Sequence, residues 1–309
     1  MLAFQPLKLE DIPRIRPYLT PNPQRMCDWT VGGTFIWRDL YEYEVAFVDD
    51  CLIFRMKIFG THHAYTVPRG EHIGNALDAL EAHCEAVGDP LVFSIVGDHD
   101  LPLLSERYPG FHAVSERDYY DYLYDARDLL ALEGRQHKST RNNINRFRRQ
   151  TPDWRFEKID ATNIDDVRRY VDEERQYIPE DHATLIEESN KIHEVLDHMD
   201  AYRMFGGVLY VGDTVIGYSL GEVVGDTLYV HTEKADVAYR GAYQMLVACF
   251  MDMYGDDPDI AFVNREDDNG DPGLRRSKTT YGPVALISKY TVYTSDDHLE
   301  WRERTYLEG

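Results

Sequence analysis

The chain has 309 residues, 43% of them hydrophobic, which is about two domains' worth at roughly 150 residues each and enough apolar material for two cores. Its formal net charge of −22 argues against duplex-DNA binding, because most of the surface would repel a phosphate backbone. No run of about 18 apolar residues suggests a membrane span, and the N-terminus lacks a signal-type apolar core, so a cytoplasmic location is expected.

In chain order, Leu7, Leu9, Ile12, Ile15 and Leu19 are spaced for one helical face, which predicts a helix over 5–20 ended by Pro21 and Pro23. Alternating stretches over 43–48 and 51–58 flank Asp49-Asp50 and predict a hairpin; a further strand is expected over 64–67. Ile73, Leu77, Leu80 and Cys84 predict a helix over 70–87. A strand over 91–96, a helix over 101–108 and a strand over 111–123 follow. This βββαβαβ order suggests a mixed sheet with helices on its faces.

The stretch 134–150, GRQHKSTRNNINRFRRQ, holds six basic residues and no acidic one. Its spacing predicts a helix capped by Ser139 or Thr140. Thr140, Ile144, Phe147 and Thr151 would form one stripe, leaving Lys138, Arg141, Asn142, Asn145, Arg148 and Arg149 on the rest. Such a helix is either a solvated connection between domains or a cradle for a phosphate-bearing group. In so acidic a chain, an anion would be focused toward it.

The second half repeats the plan of the first. A strand is expected over 156–159, helices over 164–177 and 183–199, and a three-strand meander over 202–211, 214–224 and 227–232 with turns at Gly212-Asp213 and Gly225-Asp226. A helix over 241–254, a strand over 260–263, a helix over 272–280 and a strand over 284–293 close the chain. The boundaries expected are 1–130 for a first domain, 131–155 for the basic connecting helix and 156–309 for a second domain bearing the site.

Three meander strands followed by an Arg-Gly turn that opens a helix is the order of the GCN5-related N-acetyltransferase (GNAT) fold. The stretch AYRGAYQML (238–246) resembles its pyrophosphate-binding turn, with Tyr243 where the family usually has a second glycine. The resemblance implies that Arg240, Gly241 and Ala242 hold a donor's phosphates, because backbone N–H groups at a helix N-terminus bind phosphate oxygens. Two longer stretches, LALEGRQHKSTRNNINRF (130–147) and NREDDNGDPGLRRSKTTYGP (264–283), resemble a bacterial family similar to the C-terminal soluble domain of phosphatidylglycerol lysyltransferase. That resemblance covers most of the chain. It implies an α/β fold of mixed sheets, arranged as two tandem GNAT-like domains as in the FemABX aminoacyltransferases. The activity implied is transfer of an acyl or aminoacyl group from acyl-CoA or aminoacyl-tRNA to an amine or hydroxyl acceptor, with a tRNA acceptor end as a partner. Neither a membrane portion to deliver a lipid nor an oligomer is expected.

Acyl transfer needs a donor held by its phosphates, a base for the nucleophile and donors for the developing oxyanion. Glu233, just after the third meander strand, is the expected base, with Glu266 and Asp267 in reserve. Lys278 and Tyr281 are expected to stabilise or protonate the leaving group. Arg275 and Arg276, together with Lys138, Arg141, Asn142 and Asn145 of the basic stretch, are expected to meet phosphate. The competing class is a catalytically silent binding protein for an anionic nucleotide-type ligand.

Other patterns are set aside. Gly217–Gly221 matches GxSxG but lies mid-strand, where no nucleophile elbow forms. His193-Glu194 with His198 is one residue too long for a zinc HExxH site, and the run from Glu266 to Asp271 lacks the final glutamate of an EF-hand. His62-His63 reads as structural or exposed. Cys27, Cys51, Cys84 and Cys249 lack metal-type spacing and read as buried small hydrophobes, so no metal is expected.

Overall fold

A computed structural model describes residues 1–58, 62–296 and 298. The first half begins with β1 (Gln5–Pro6), α1 (Ile12–Leu19), α2 (Val31–Ile36), β2 (Glu44–Val48), β3 (Cys51–Ile58), β4 (His62–Tyr65) and β5 (Arg69–Gly70). It continues through α3 (Ile73–Val87), β6 (Val92–Val96), α4 (Leu101–Arg107), β7 (His112–Ser115), β8 (Asp121–Asp125) and α5 (Ala126–Ala131) to the basic helix α6 (Lys138–Gln150). Then come β9 (Trp154–Lys158), α7 (Ile164–Arg175), α8 (Ala183–Asp197), α9 (Met199–Tyr202), β10 (Phe205–Val211), β11 (Thr214–Val224) and β12 (Thr227–Ala235). The last elements among the described residues are α10 (Ala242–Phe250), β13 (Phe262–Asn264), α11 (Pro272–Thr280), β14 (Ala285–Ile287) and β15 (Tyr290–Tyr293).

Local rules account for most of these elements. The β2–β3 hairpin turns through Asp49 and Asp50 at φ 47° and 57°, the left-handed pair that matches strand twist in a two-residue loop. In α6, Thr140, Ile144 and Phe147 are buried on one stripe. His137, rather than Ser139 or Thr140, occupies the N-cap of α6, with no side-chain capping bond. Three helices lie outside the expected ones, α2, α5 and α9. The first, VGGTFI, is buried throughout and so has no amphipathic period; Thr30 starts it by accepting the Gly33 N–H at 2.9 Å.

The sheets are not split at the expected boundaries. One sheet runs β1-β2-β3-β4-β6-β15-β7 and the other β14-β8-β13-β12-β11-β10-β9. Thus β8, from the first half, pairs with β13 and β14, whereas β15, from the end of the chain, pairs with β6 and β7. Each stretch expected as one strand, 111–123 and 284–293, is two short strands in different sheets. A continuous apolar pattern records burial and not which sheet provides it. A hydrophobic cluster spans the exchange, joining Phe35 and Phe54 to Val171, Leu196 and Leu220.

The second sheet positions the site. Strands β12 and β13 run parallel from Thr227↔Phe262 to Tyr229↔Asn264, and there their pairing ends. Strand β12 continues to Ala235, paired with β11 alone. A wedge opens between β12 and the segment that follows β13.

Candidate functional site

Arg265 fills the wedge. Its Nε and Nη2 donate to Glu233 Oε2 at 2.9 and 2.6 Å, while its guanidinium carbon stands 4.6 Å from the Tyr281 ring centroid and 5.6 Å from that of Tyr124. Burial opposes the charge on Arg265 but the Glu233 carboxylate outweighs it and holds the guanidinium protonated. Tyr281 is buried, and that burial pushes its hydroxyl up to about 12. Lys278, also buried, donates from Nζ to the backbone carbonyls of Arg265 and Asp267, with its pKa lowered by burial and by the charge of Arg265. Lys278 therefore ties down the loop after β13.

That loop carries three consecutive acids with separate fates. Glu266, at φ 55°, sends Oε1 to His231 Nδ1 at 2.7 Å. Asp268 is fully buried and accepts from Arg275 Nε at 2.9 Å and Tyr122 OH at 2.6 Å; burial would raise its pKa, but these bonds hold it down at about 2. Asp267 remains part-exposed, and the Lys289 ammonium stands 3.9 Å from its Oδ2, beyond hydrogen-bond distance. Burial pushes the Asp267 carboxyl up to about 6 against the pull of Lys289, with Asp121 and Glu266 adding to the rise.

Two ionic clusters hold this loop to the first half. The imidazole of His231 lies between Glu266 and Glu222, the latter at 3.1 Å, and Glu222 Oε1 also accepts the Gly32 N–H at 2.5 Å. Any Cβ at Gly32 would collide with the His231 ring, so glycine permits this approach. Lys289 sits in the second cluster, 2.6 Å from Asp28 Oδ2 and 2.7 Å from Asp121 Oδ1, with Cys27 Sγ at 3.4 Å. Cys27, Asp28 and Asp121 converge closely enough for a cation, and the Lys289 ammonium is that cation. Burial first, and then the neighbouring carboxylates, raise the Cys27 pKa and leave a protonated thiol.

The two expected phosphate-binding features meet. Gly241, at φ 95°, is the N-cap of α10, and a Cβ there would lie 2.5 Å from the Asn143 carbonyl of α6 and 3.2 Å from Phe147 Cβ. The basic helix is thus seated against the turn made by Arg240, Gly241 and Ala242. Lys138, Asn142, Asn145 and Arg240 are exposed and Ala242 is buried. Arg141 is half-buried and donates to the Leu132 carbonyl at the end of α5, and Arg148 lies 5.7 Å from the Trp154 ring centroid. Arg275 is elsewhere, bonded to Asp268 and, at 2.6 Å, to Asp118; Arg276 is exposed on α11.

The residues that sequence reasoning passed over are Glu222, His231, Arg265 and Lys289. Glu222 and His231 did leave a signal: both are ionisable residues within strands of otherwise apolar pattern. Ser219, in the GxSxG spacing, lies inside β11, and all four cysteines are buried and free. Among the described residues no helix is long and apolar enough to cross a membrane.

A family model described as phosphatidylglycerol lysyltransferase, C-terminal, matches residues 22–293. A conserved protein of unknown function from Bacteroides thetaiotaomicron VPI-5482 is 28% identical, with a TM-score of 0.84 over 95% of this chain and 99% of its own. The C-terminal domain of a putative lysylphosphatidylglycerol synthetase from Agrobacterium fabrum is 14% identical, with a TM-score of 0.68 over 96% of each chain. FemX is 10% identical, with a TM-score of 0.57 over 94% of this chain and 96% of its own. These last two share the fold. A curated relative, the uncharacterized protein MYCGA3080 of Mycoplasmoides gallisepticum, is 24% identical over 177 residues, 56% of this chain and 55% of the relative, so the chain spans about half the length of the relative it matches.

Proposed function

The chain belongs to the phosphatidylglycerol lysyltransferase C-terminal family, of tandem GNAT-like acyltransferase fold, and from that premise we propose that it moves an aminoacyl or acyl group from aminoacyl-tRNA or acyl-CoA to an amine or hydroxyl acceptor. The observation that carries this reading is the seating of the basic helix α6 against the Gly241 turn. Two candidate anion-binding elements from different parts of the chain meet at this turn. In this reading Arg240, Gly241, Ala242 and the exposed face of α6 hold the donor's phosphates. Asp267 takes the proton of the acceptor, since of Glu233, Glu266 and Asp267 it alone makes no hydrogen bond to a cationic side chain. Glu233 and Lys278 hold Arg265 and the loop in place.

The test is transfer from panels of aminoacyl-tRNA and acyl-CoA donors, run side by side with amine and hydroxyl acceptors. Asp267→Asn is expected to lower turnover by about 100-fold or more with donor affinity unchanged. Full turnover in that variant would remove Asp267 from the role, and absence of transfer from every donor would remove the transferase reading. A catalytically silent binding protein is the second reading, favoured by the ion-pairing of Glu233 with Arg265 and of Glu266 with His231. It predicts donor binding without turnover, with Asp267→Asn and Glu233→Gln leaving the bound state as it is.

A further inference from the structure

We propose that Arg265 and Ser219 are the two donors that hold the carbonyl oxygen of the transferred group, a role that rests on the transferase reading above. Ser219 lies directly opposite Glu233 in the β11–β12 register, so the two side chains share one face of the sheet. Arg265 reaches the same carboxylate from the other side of the wedge through Nε and Nη2. Both residues are more than nine-tenths buried, at 0% and 6% exposure. Among the described residues, Ser219 Oγ and Arg265 Nη1 have no hydrogen-bond partner. Buried polar groups in folded proteins are nearly always paired, and two unpaired donors flanking one carboxylate mark a place for an acceptor atom.

The charge balance selects the acceptor. Arg265 is already neutralised by Glu233, so the pair offers little to a standing anion such as phosphate. It suits a carbonyl oxygen that is neutral when bound and becomes negative only as the bond to carbon forms. In the step proposed, a lone pair on the acceptor's nitrogen or oxygen bonds to the carbonyl carbon, and the π pair moves onto the oxygen held by Arg265 Nη1 and Ser219 Oγ. Return of that pair breaks the bond to the donor's ribose oxygen or thiol sulfur. The leaving atom keeps the bonding pair and gains the proton that the acceptor gave up. The GxSxG serine is thus a hydrogen-bond donor, not a nucleophile.

The test uses the full chain and two probe pairs, each a carbonyl compound with its carbonyl-free counterpart: 3′-acetamido-3′-deoxyadenosine with 3′-amino-3′-deoxyadenosine, and the stable ketone analogue of acetyl-CoA with S-ethyl-CoA. Wild type is expected to prefer the carbonyl member of at least one pair by about fivefold or more. Ser219→Ala and Arg265→Lys should bring that ratio close to one. Because the Ser219 hydroxyl has no partner to lose, Ser219→Ala should leave Tm unchanged or higher, a result that a structural hydroxyl would not give. Where transfer is measured, kcat should fall by about 100-fold with donor KM little changed. If Arg265→Lys fails to fold, Ser219→Ala decides. The proposal is overturned if wild type shows no preference in either pair, or if the preference survives the substitutions. A preference that responds to the substitutions in a protein transferring nothing would uphold the subsite and sink the transferase reading instead.

Discussion

His231 Nε2 lies 3.1 Å from Glu222 Oε1 in a site where both side chains are buried, and the same imidazole meets Glu266 at 2.7 Å through its other nitrogen. Burial alone would lower the histidine pKa. The hydrogen bonds to Glu222 and Glu266 outweigh it and push the imidazole up to about 9. A buried cation is therefore shared between a strand of the second sheet and the loop beside the wedge, with Gly32 of the first half on the same glutamate.

This arrangement sets an alkaline limit. The folded-state pKa lies above the unfolded value near 6.5, so the stabilisation is complete below about pH 6.5 and is lost as pH rises through about 9. Urea unfolding followed across pH 6 to 10 should show stability falling over that window. His231→Gln should cost about 3–5 kcal/mol near neutral pH, since it leaves the buried Glu222 and the part-buried Glu266 without their counter-charge, and should flatten the alkaline fall. An unchanged slope in the variant would assign the fall to another group.

The acid limit has a different origin. Glu194 accepts from Arg38 at 2.7 and 2.6 Å and from Tyr202 at 2.6 Å, joining the segment after α2 to α8. Burial would raise this carboxyl, but Arg38 and Tyr202 hold it down at about 2. A depressed pKa contributes stability that is present above about pH 4.5 and lost as pH falls toward about 2, and Asp268 acts in the same sense. Glu194→Gln should move the acid unfolding midpoint, read by tryptophan fluorescence, to higher pH. A midpoint unmoved by the substitution would mean that Glu194 is not among the groups that set it.

The exposed face of α6 can be separated from its buried stripe. Lys138→Glu combined with Arg149→Glu changes two exposed residues and should leave Tm within about 2 °C. Affinity for the anionic donor should drop about tenfold or more at low salt, with a shallower dependence on salt concentration. Unchanged donor affinity would return the helix to being a connection between the halves.

Strand exchange makes folding of the two halves interdependent. A fragment of residues 1–130 lacks β15, which pairs with both β6 and β7, and a fragment of residues 156–309 lacks β8, which pairs with both β13 and β14. Each fragment would lose the strand next to one end of its sheet, exposing an unpaired edge and detaching the end strand. Neither is expected to give a cooperative thermal transition in circular dichroism. A fragment that unfolds cooperatively alone would show that its sheet tolerates the gap.

Much of the fold was legible because its elements are local. The hairpin at Asp49-Asp50, the buried stripe of α6 and the turn before α10 each follow from spacing within a dozen residues or fewer. The acids 266–268 were visible as a run, but their three fates depend on His231, Tyr122 and Lys289, which come from other segments of the chain. The two short strands in 284–293 were read as one for the same reason: nothing in their own pattern distinguishes the partner sheets.

Period, charge and turn chemistry are properties of neighbouring residues, so the two-part α/β plan, the family resemblance, the basic helix and the Arg-Gly turn are all readable along the chain. Folding settles the rest: α6 seats on that turn, β8 and β15 change sheets, and Glu233 becomes the partner of Arg265. Those outcomes depend on contacts far apart along the chain, where burial and complementary charge in the folded core select one pairing among the many that the same residues could make.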